Sequence, residues 1–197
     1  MKYTKEHPLR VFTAFSGYDS QCLALERLKE KNPDFDYELV GWSEVEVNAI
    51  AAHNAIFPQY KDRNYGDISA ISWGWQVPDF DLFTYSFPCQ SISAAGKQAG
   101  LEEGSGTRSS LLWECRKAIE VKRPKYLMME NVKALLQKKF KPFFSKWLKE
   151  LDSFGYDSYY HIMNAADYGV PQHRERVFCI SIHRDGDGQT FNFPKPY

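Results

Sequence analysis

The junction between a short apolar run, Asp81-Leu82-Phe83-Thr84-Tyr85, and the segment Ser86-Phe87-Pro88-Cys89-Gln90-Ser91 constrains the fold more than any other stretch. An apolar run of this length reads as a buried strand. Pro88 cannot donate to a ladder, so the strand stops there and a loop carries Cys89 to the carboxyl edge of the sheet. In open α/β sheets that edge is where ligands bind, and a thiol placed there can attack one. A buried cysteine usually acts as a small apolar residue. Cys89 is set apart by the segment C-terminal to it: Ser93-Ala94-Ala95-Gly96-Lys97-Gln98-Ala99-Gly100-Leu101, then Gly104 and Gly106. A segment this polar and Gly-rich cannot be core, and it reads as a mobile loop that closes over a substrate.

The rest of the chain alternates strand and helix patterns, which predicts an α/β domain with a mostly parallel sheet. Arg10 to Phe15 reads as the first, central strand. Ser16-Gly17-Tyr18-Asp19 is a turn, and Asp19 or Ser20 caps a helix through about Lys31. Strand, tight Gly turn and helix make a nucleotide-type crevice, although no Gly-x-Gly-x-x-Gly fingerprint is present. Tyr37 to Ser43 is a second strand ending at Glu44. An acidic residue there accepts from ribose hydroxyls in many such folds; it equally suits the N-terminus of a helix running from Val45 to Phe57. Gly66-Asp67-Ile68 follows a short third strand, and by itself reads as a turn. Further on come a helix from about Ser109 to Lys122 and a fifth strand over Lys125 to Met129 with Glu130-Asn131 at its carboxyl end. A helix from Phe140 to Phe154 then carries Phe143, Phe144, Trp147 and Leu151 inward. Tyr156 to Met163 and Arg176 to Ile182 read as two strands antiparallel to each other. Glu130, on a buried strand without a nearby formal partner, is expected to hold its proton above the usual range. Arg174 and Arg176, two apart at a strand start, point to one face and suit a carboxylate, phosphate or carbonyl.

At 197 residues the chain is long enough for one α/β domain with a proper core. Cys22, Cys89, Cys115 and Cys179 form no Cys-x-x-Cys pair, which argues against zinc and against a disulfide framework and fits a reducing cytosol. No metal is expected. The N-terminus has no apolar signal core, and no run approaches membrane-spanning length. Lys and Arg number 25 and Asp and Glu number 25, so charge alone does not suggest a nucleic-acid partner.

Phe87-Pro88-Cys89-Gln90 followed by Ser93-x-x-Gly96-Lys97-Gln98-x-Gly100 resembles the nucleophile segment of the DNA (cytosine-5) methyltransferases. Four more segments fit that family in order: Phe15-Ser16-Gly17, Glu44, Glu130-Asn131-Val132-Lys133, and Gln172-His173-Arg174-Glu175-Arg176. The resemblance implies a Rossmann-like S-adenosylmethionine-dependent methyltransferase fold, with helices on both faces of the sheet and an antiparallel strand near the C-terminal end. It implies methyl transfer from S-adenosylmethionine, leaving S-adenosylhomocysteine, to carbon 5 of a cytosine flipped out of duplex DNA. Cys89 becomes the nucleophile, Glu130 the proton donor to ring nitrogen 3, and Arg174 and Arg176 the holders of the ring carbonyl. An unperturbed thiol is only about 3% thiolate at pH 7, so Cys89 requires activation. The cofactor is expected at Phe15, Ser16, Gly17, Tyr18, Asp19, Glu44, Val45, Asp67, Ile68 and Pro88, and the substrate at Gln90, Ser91, Asn131 and Gln172. The family usually has further glycines where Asp19 and Ser20 stand here.

Two other readings stay open on this fold: an RNA cytosine-5 methyltransferase, and a non-catalytic S-adenosylmethionine-binding partner. The resemblance implies a cytoplasmic protein, bacterial or phage-encoded, of a restriction–modification or phage-type system, with a cognate restriction enzyme as a further partner. Residues 1–190 are expected to form the catalytic and cofactor-binding domain. Residues 191–197 are expected to begin a linker to a separate target recognition domain. A monomer is expected for the complete enzyme; a chain lacking that domain and the closing helix after it is expected to self-associate, to bind cofactor weakly at best and to methylate no DNA by itself.

Overall fold

The computed structural model describes residues 2–88, 111–186 and 190–196. Its strands are β1 (Leu9–Ala14), β2 (Tyr37–Ser43), β3 (Leu82–Tyr85), β4 (Tyr126–Val132), β5 (Tyr156–Asn164) and β6 (Glu175–His183). They form one sheet in the order β2-β1-β3-β4-β6-β5. β1 is parallel to β2 and β3, and β3 is parallel to β4. β6 runs antiparallel to both of its neighbours. The expected α/β class, the parallel centre and the C-terminal antiparallel strand are all present.

Helices α1 (Ser20–Lys31) and α2 (Val47–Ile56) pack on one face of the sheet, and α3 (Leu112–Lys122) and α4 (Lys141–Ser153) on the other. The alternation along β1 decides this division: Val11 joins Cys22, Leu39, Trp42 and Phe57 on one side, whereas Phe12 joins Phe83, Cys115 and Trp147 on the other. Burying side chains of this size stabilises the fold by roughly 1.5–3 kcal/mol each. The α3–α4 layer is aromatic, with Trp113 edge-on to Trp147 and the Trp147 indole N–H donating to the Tyr85 hydroxyl at 3.1 Å. The buried indole donor therefore has its partner. Among the described residues no helix is long and apolar enough to cross a membrane.

Three sequence expectations need correcting. The short third strand before Gly66 is reduced to a single bridge between Trp42 and Asn64. A 3₁₀ turn over Pro58–Arg63 consumes the residues that would have extended it. The Asn64 side chain takes the place of a ladder, accepting from Glu44 N and Gly66 N and donating to Glu44 O. The second helix starts at Val47 and not Val45, because the Glu46 carboxylate caps it by accepting from Ala49 N at 2.8 Å. β4 continues through Glu130 and Asn131 to Val132, so the acid sits within the strand.

Gly41 in β2 is required by close packing. A Cβ there would lie 2.6 Å from the Tyr65 ring and 2.7 Å from the Phe12 ring, beside the register shift at Val11/Phe12. Gly41→Ala is expected to lower stability in urea denaturation by about 1–3 kcal/mol, the cost of overpacking a filled core. A variant as stable as the parent would show that Tyr65 moves aside freely.

Candidate active site

β1, β2, β3 and β4 all point their carboxyl ends to one edge, and β6, being antiparallel, brings its start there. Two cavities open along this edge, of about 800 and 550 Å³. Phe15 and Ser86 line both, so the cavities meet across them. α1 and α2 cover only part of their face, and the uncovered strands supply Met128, Glu130 and Phe178 to the larger cavity.

The smaller cavity is lined by Phe15, Ser43, Glu44, Asp67, Ile68 and Pro88, with Val45 and Val47 exposed at its rim. Phe15 has φ 55°, a left-handed conformation that costs a non-glycine residue about 1–2 kcal/mol. Gly17 has φ 57° with open space where a Cβ would stand, so the turn presents bare backbone to its surroundings. Its N–H donates to Glu44 Oε2 at 2.9 Å, while Glu44 Oε1 accepts from Val45 N and Glu46 N. Both expected uses of Glu44 are thus compatible, with a limit. Oε1 has spent both lone pairs on backbone, and Oε2 retains one. In this arrangement the carboxylate has room for one further hydroxyl rather than two. Asp67 caps a short 3₁₀ turn by accepting from Ser69 N.

The remaining residues expected at the cofactor divide differently. Ser16 and Tyr18 open onto the larger cavity. Asp19 turns into the core: it is fully buried, accepts from Thr13 Oγ1 at 2.7 Å and from Cys22 N at 3.2 Å, and lies 3.5 Å from His53 Nε2. Its own N–H donates to Ser16 O and its carbonyl accepts from Leu23 N, so its hydrogen bonds cap α1. Asp19, expected at the cofactor, lines neither cavity.

The larger cavity gathers Glu130, Gln172, Arg174 and Arg176, all four expected there. Arg176 Nε lies 3.0 Å from Glu130 Oε1. The supposition that Glu130 lacks a nearby charged partner is therefore wrong, although the direction of its shift is right. Burial pushes the Glu130 carboxyl above the usual carboxylate range, and the Arg176 and Arg174 guanidinium groups pull it part of the way back. The Ser86 side chain also hydrogen-bonds to it. Asn131, expected to touch substrate, is buried instead; its Nδ2 donates to Phe87 O at 3.0 Å and its Oδ1 accepts from Val132 N. It anchors the strand-to-loop corner that leads to Pro88. Cys89, Gln90 and Ser91, together with the Gly-rich loop expected to close over a substrate, lie outside the described residues.

Sequence reasoning missed Ser86, Gln21 and Asn64. A serine ahead of a motif and a glutamine in the first turn of a helix carry no signal by themselves. Only the fold puts Gln21 Nε2 3.2 Å from Ser86 Oγ.

Residues 9–197 match the model of the family described as C-5 cytosine-specific DNA methylase. This chain belongs to that family. It is 44% identical over 234 residues to the type II methyltransferase M2.ScrFI of Lactococcus lactis subsp. cremoris, covering 93% of this chain and 63% of that protein. It is 34% identical over 235 residues to the orphan methyltransferase M.SssI of Spiroplasma monobiae, covering 90% and 60%. The chain thus spans about three fifths of the length of these relatives. Among solved structures, the Entamoeba histolytica methyltransferase EhMeth superposes with a TM-score of 0.70 at 16% identity, covering 95% of this chain and 55% of that one. The S. pombe Dnmt2 methyltransferase superposes at 0.67 and 18%, covering 94% and 51%. At such identity these two structures speak to the fold.

In this member of the family, Asn131→Asp keeps the acceptor for Val132 N but sets a carboxylate against the Phe87 carbonyl. A loss of about 1–3 kcal/mol in urea denaturation is expected, the cost of a buried polar group left unpaired. Unchanged stability would mean that Asn131 does not hold the corner.

Proposed function

We propose that this chain transfers the methyl group of S-adenosylmethionine to carbon 5 of cytosine in DNA. One observation carries the reading. A carboxyl group raised by burial faces two arginines in one cavity, which meets a nucleoside-sized cleft at Phe15 and Ser86. The residues fit the cofactor: Phe15 and Ile68 offer apolar walls, Gly17 bare backbone, Asp67 an acceptor for an amino group, and Glu44 a remaining lone pair for a ribose hydroxyl. Bound there, S-adenosylmethionine supplies a methyl carbon on a sulfonium, the electrophile.

Carbon 5 of cytosine is a poor nucleophile, and covalent addition remedies this. In the proposed route the Cys89 thiolate adds to carbon 6, and the displaced electron pair is taken up as Glu130 delivers its proton to nitrogen 3. Arg176 and Arg174 hold the ring carbonyl. Carbon 5 is then enamine-like, and S-adenosylmethionine held at Phe15, Glu44, Asp67 and Ile68 would supply it with the methyl group, the carbon–sulfur pair staying on sulfur. A base then removes the carbon 5 proton, the Cys89–carbon 6 bond breaks to restore the thiolate, and nitrogen 3 returns its proton to Glu130. A base stacked in a duplex cannot reach such a cavity, so the target is flipped out. The other cysteines make poor nucleophiles: burial raises the Cys22 and Cys115 thiols well above their usual range and pushes Cys179 up to about 12.

The deciding experiment combines the protein with its full complement of domains, labelled cofactor and duplex DNA carrying 5-fluorocytosine, on which the step after methyl transfer is blocked. A covalent adduct that disappears in Cys89→Ala is expected. Adduct on RNA alone would replace the substrate, and cofactor binding without any adduct would point to a binding partner. Glu130→Gln is expected to slow transfer by about 10²–10⁴-fold with cofactor affinity preserved. Because Glu130 acts in its protonated form, kcat/KM should fall as pH rises through its raised pKa, and the Gln variant should lose that limb.

Glu44→Ala is expected to weaken S-adenosylmethionine binding about tenfold or more in calorimetry, since a hydrogen bond to a charged group contributes roughly 1.5–3 kcal/mol. It should also lower thermal stability, because three backbone donors lose their acceptor. Equal affinity in a destabilised variant would confine Glu44 to bracing the turn.

A further inference from the structure

Ser86 occupies the one place where the two cavities and the acid come together. It follows β3 directly, lines both cavities with Phe15, and hydrogen-bonds through its side chain to Glu130. Its hydroxyl oxygen also lies 3.2 Å from Gln21 Nε2, in the first turn of α1, just past the Phe15–Asp19 turn. The amide of Gln21 is itself oriented, because its Oε1 accepts from Ser20 Oγ at 3.2 Å.

These contacts have a direction. An amide N–H is only a donor, so Gln21 donates to Ser86 Oγ and leaves the serine proton to point at the Glu130 carboxylate. The donors run from Ser20 to Gln21 to Ser86 to Glu130. On its other side Glu130 meets Arg176, which has no acceptor. Around Glu130 stand Arg176 and Arg174 from the start of β6, Ser86 from the end of β3, the uncharged Gln21 behind it, and Met128 and Phe178 on the cavity floor. Ser86 and Arg176 both approach the ionised carboxylate as donors, and together they hold it at the wall of the larger cavity.

We infer that Ser86, oriented by Gln21, is a positioning residue that holds the Glu130 carboxylate in place at the larger cavity. The role rests on the reading of Glu130 as the proton donor. It also ties the helix that begins at the Phe15–Asp19 turn to the acid, through two uncharged side chains.

The test is the titration of Glu130 by carbon NMR in the 197-residue chain labelled at glutamate carboxyls, the resonance being assigned by its loss in Glu130→Gln. Removing a donor from the ionised form raises a carboxyl pKa. Ser86→Ala is therefore expected to titrate higher than the parent by about one unit, the scale of one hydrogen bond to a charged group. Ser86→Thr keeps the hydroxyl and should titrate with the parent. Gln21→Met, on a helix surface where folding is not at stake, should shift the resonance in the same direction as Ser86→Ala by less. In the transfer assay the alkaline limb of kcat/KM should move up with the Ser86→Ala titration. Coincident titrations for the parent, Ser86→Ala and Gln21→Met overturn the inference. The NMR readout uses neither cofactor nor DNA, so a complete protein that transfers no methyl group would refute the proposed reaction while these titrations still decide the role of Ser86.

Discussion

The register between β4 and β6 is the constraint on which the site depends. Val132 lies opposite Arg176 and Glu130 opposite Phe178, so Arg176 and Glu130 are diagonal neighbours on one face. Side chains along a strand alternate, and a slip of one residue would send both arginines to the far side of the sheet. Nothing local in residues 174–176 prevents that slip. Val177 and Cys179, fully buried beneath α3 and α4, do so, because they would be forced out to solvent. The pairing of acid and cation is thus enforced by the aromatic layer on the opposite face.

The smaller cavity depends on a different device. The turn after β1 holds Phe15, Gly17 and Asp19 all at positive φ, which an unsupported chain would not adopt. It is held from above by Glu44, whose carboxylate gathers three backbone N–H groups from two loops, and from below by Asp19, tied to Thr13 and the start of α1. Strain is concentrated where the cavities meet, and the acidic residues on either side over-determine the conformation. Asn64 adds a third brace by closing both backbone polar groups of Glu44.

The partial cover on one face explains why the larger cavity exists at all. Where α1 and α2 lie on β1 and β2, Val11, Leu39 and Trp42 make a closed core; past them, Met128 and Phe178 are left half-buried as a floor. A carboxyl group on that floor is removed from water without being sealed in. That setting raises its proton affinity while leaving it accessible.

Periodicity and punctuation in the chain determined the elements. Apolar strand runs, the inward stripe of α4 and stops such as Arg123-Pro124 are local signals, because burial of one face and the absence of a proline N–H act over a few residues. The motif residues at strand ends, Glu44, Glu130, Arg174 and Arg176 among them, stood out by their resemblance to a family's ordered segments and not by periodicity alone. Only the tertiary structure decided what those residues touch. It turned Asp19 into a core cap, made Asn131 an anchor for Phe87, gave Glu130 a cation and a serine, and replaced the expected third strand with a side-chain brace. Several of these outcomes depend on contacts between residues far apart in the sequence, as with Asn131 and Phe87, 44 positions apart, and such distances are set by sheet order and register, to which no short stretch of sequence has access.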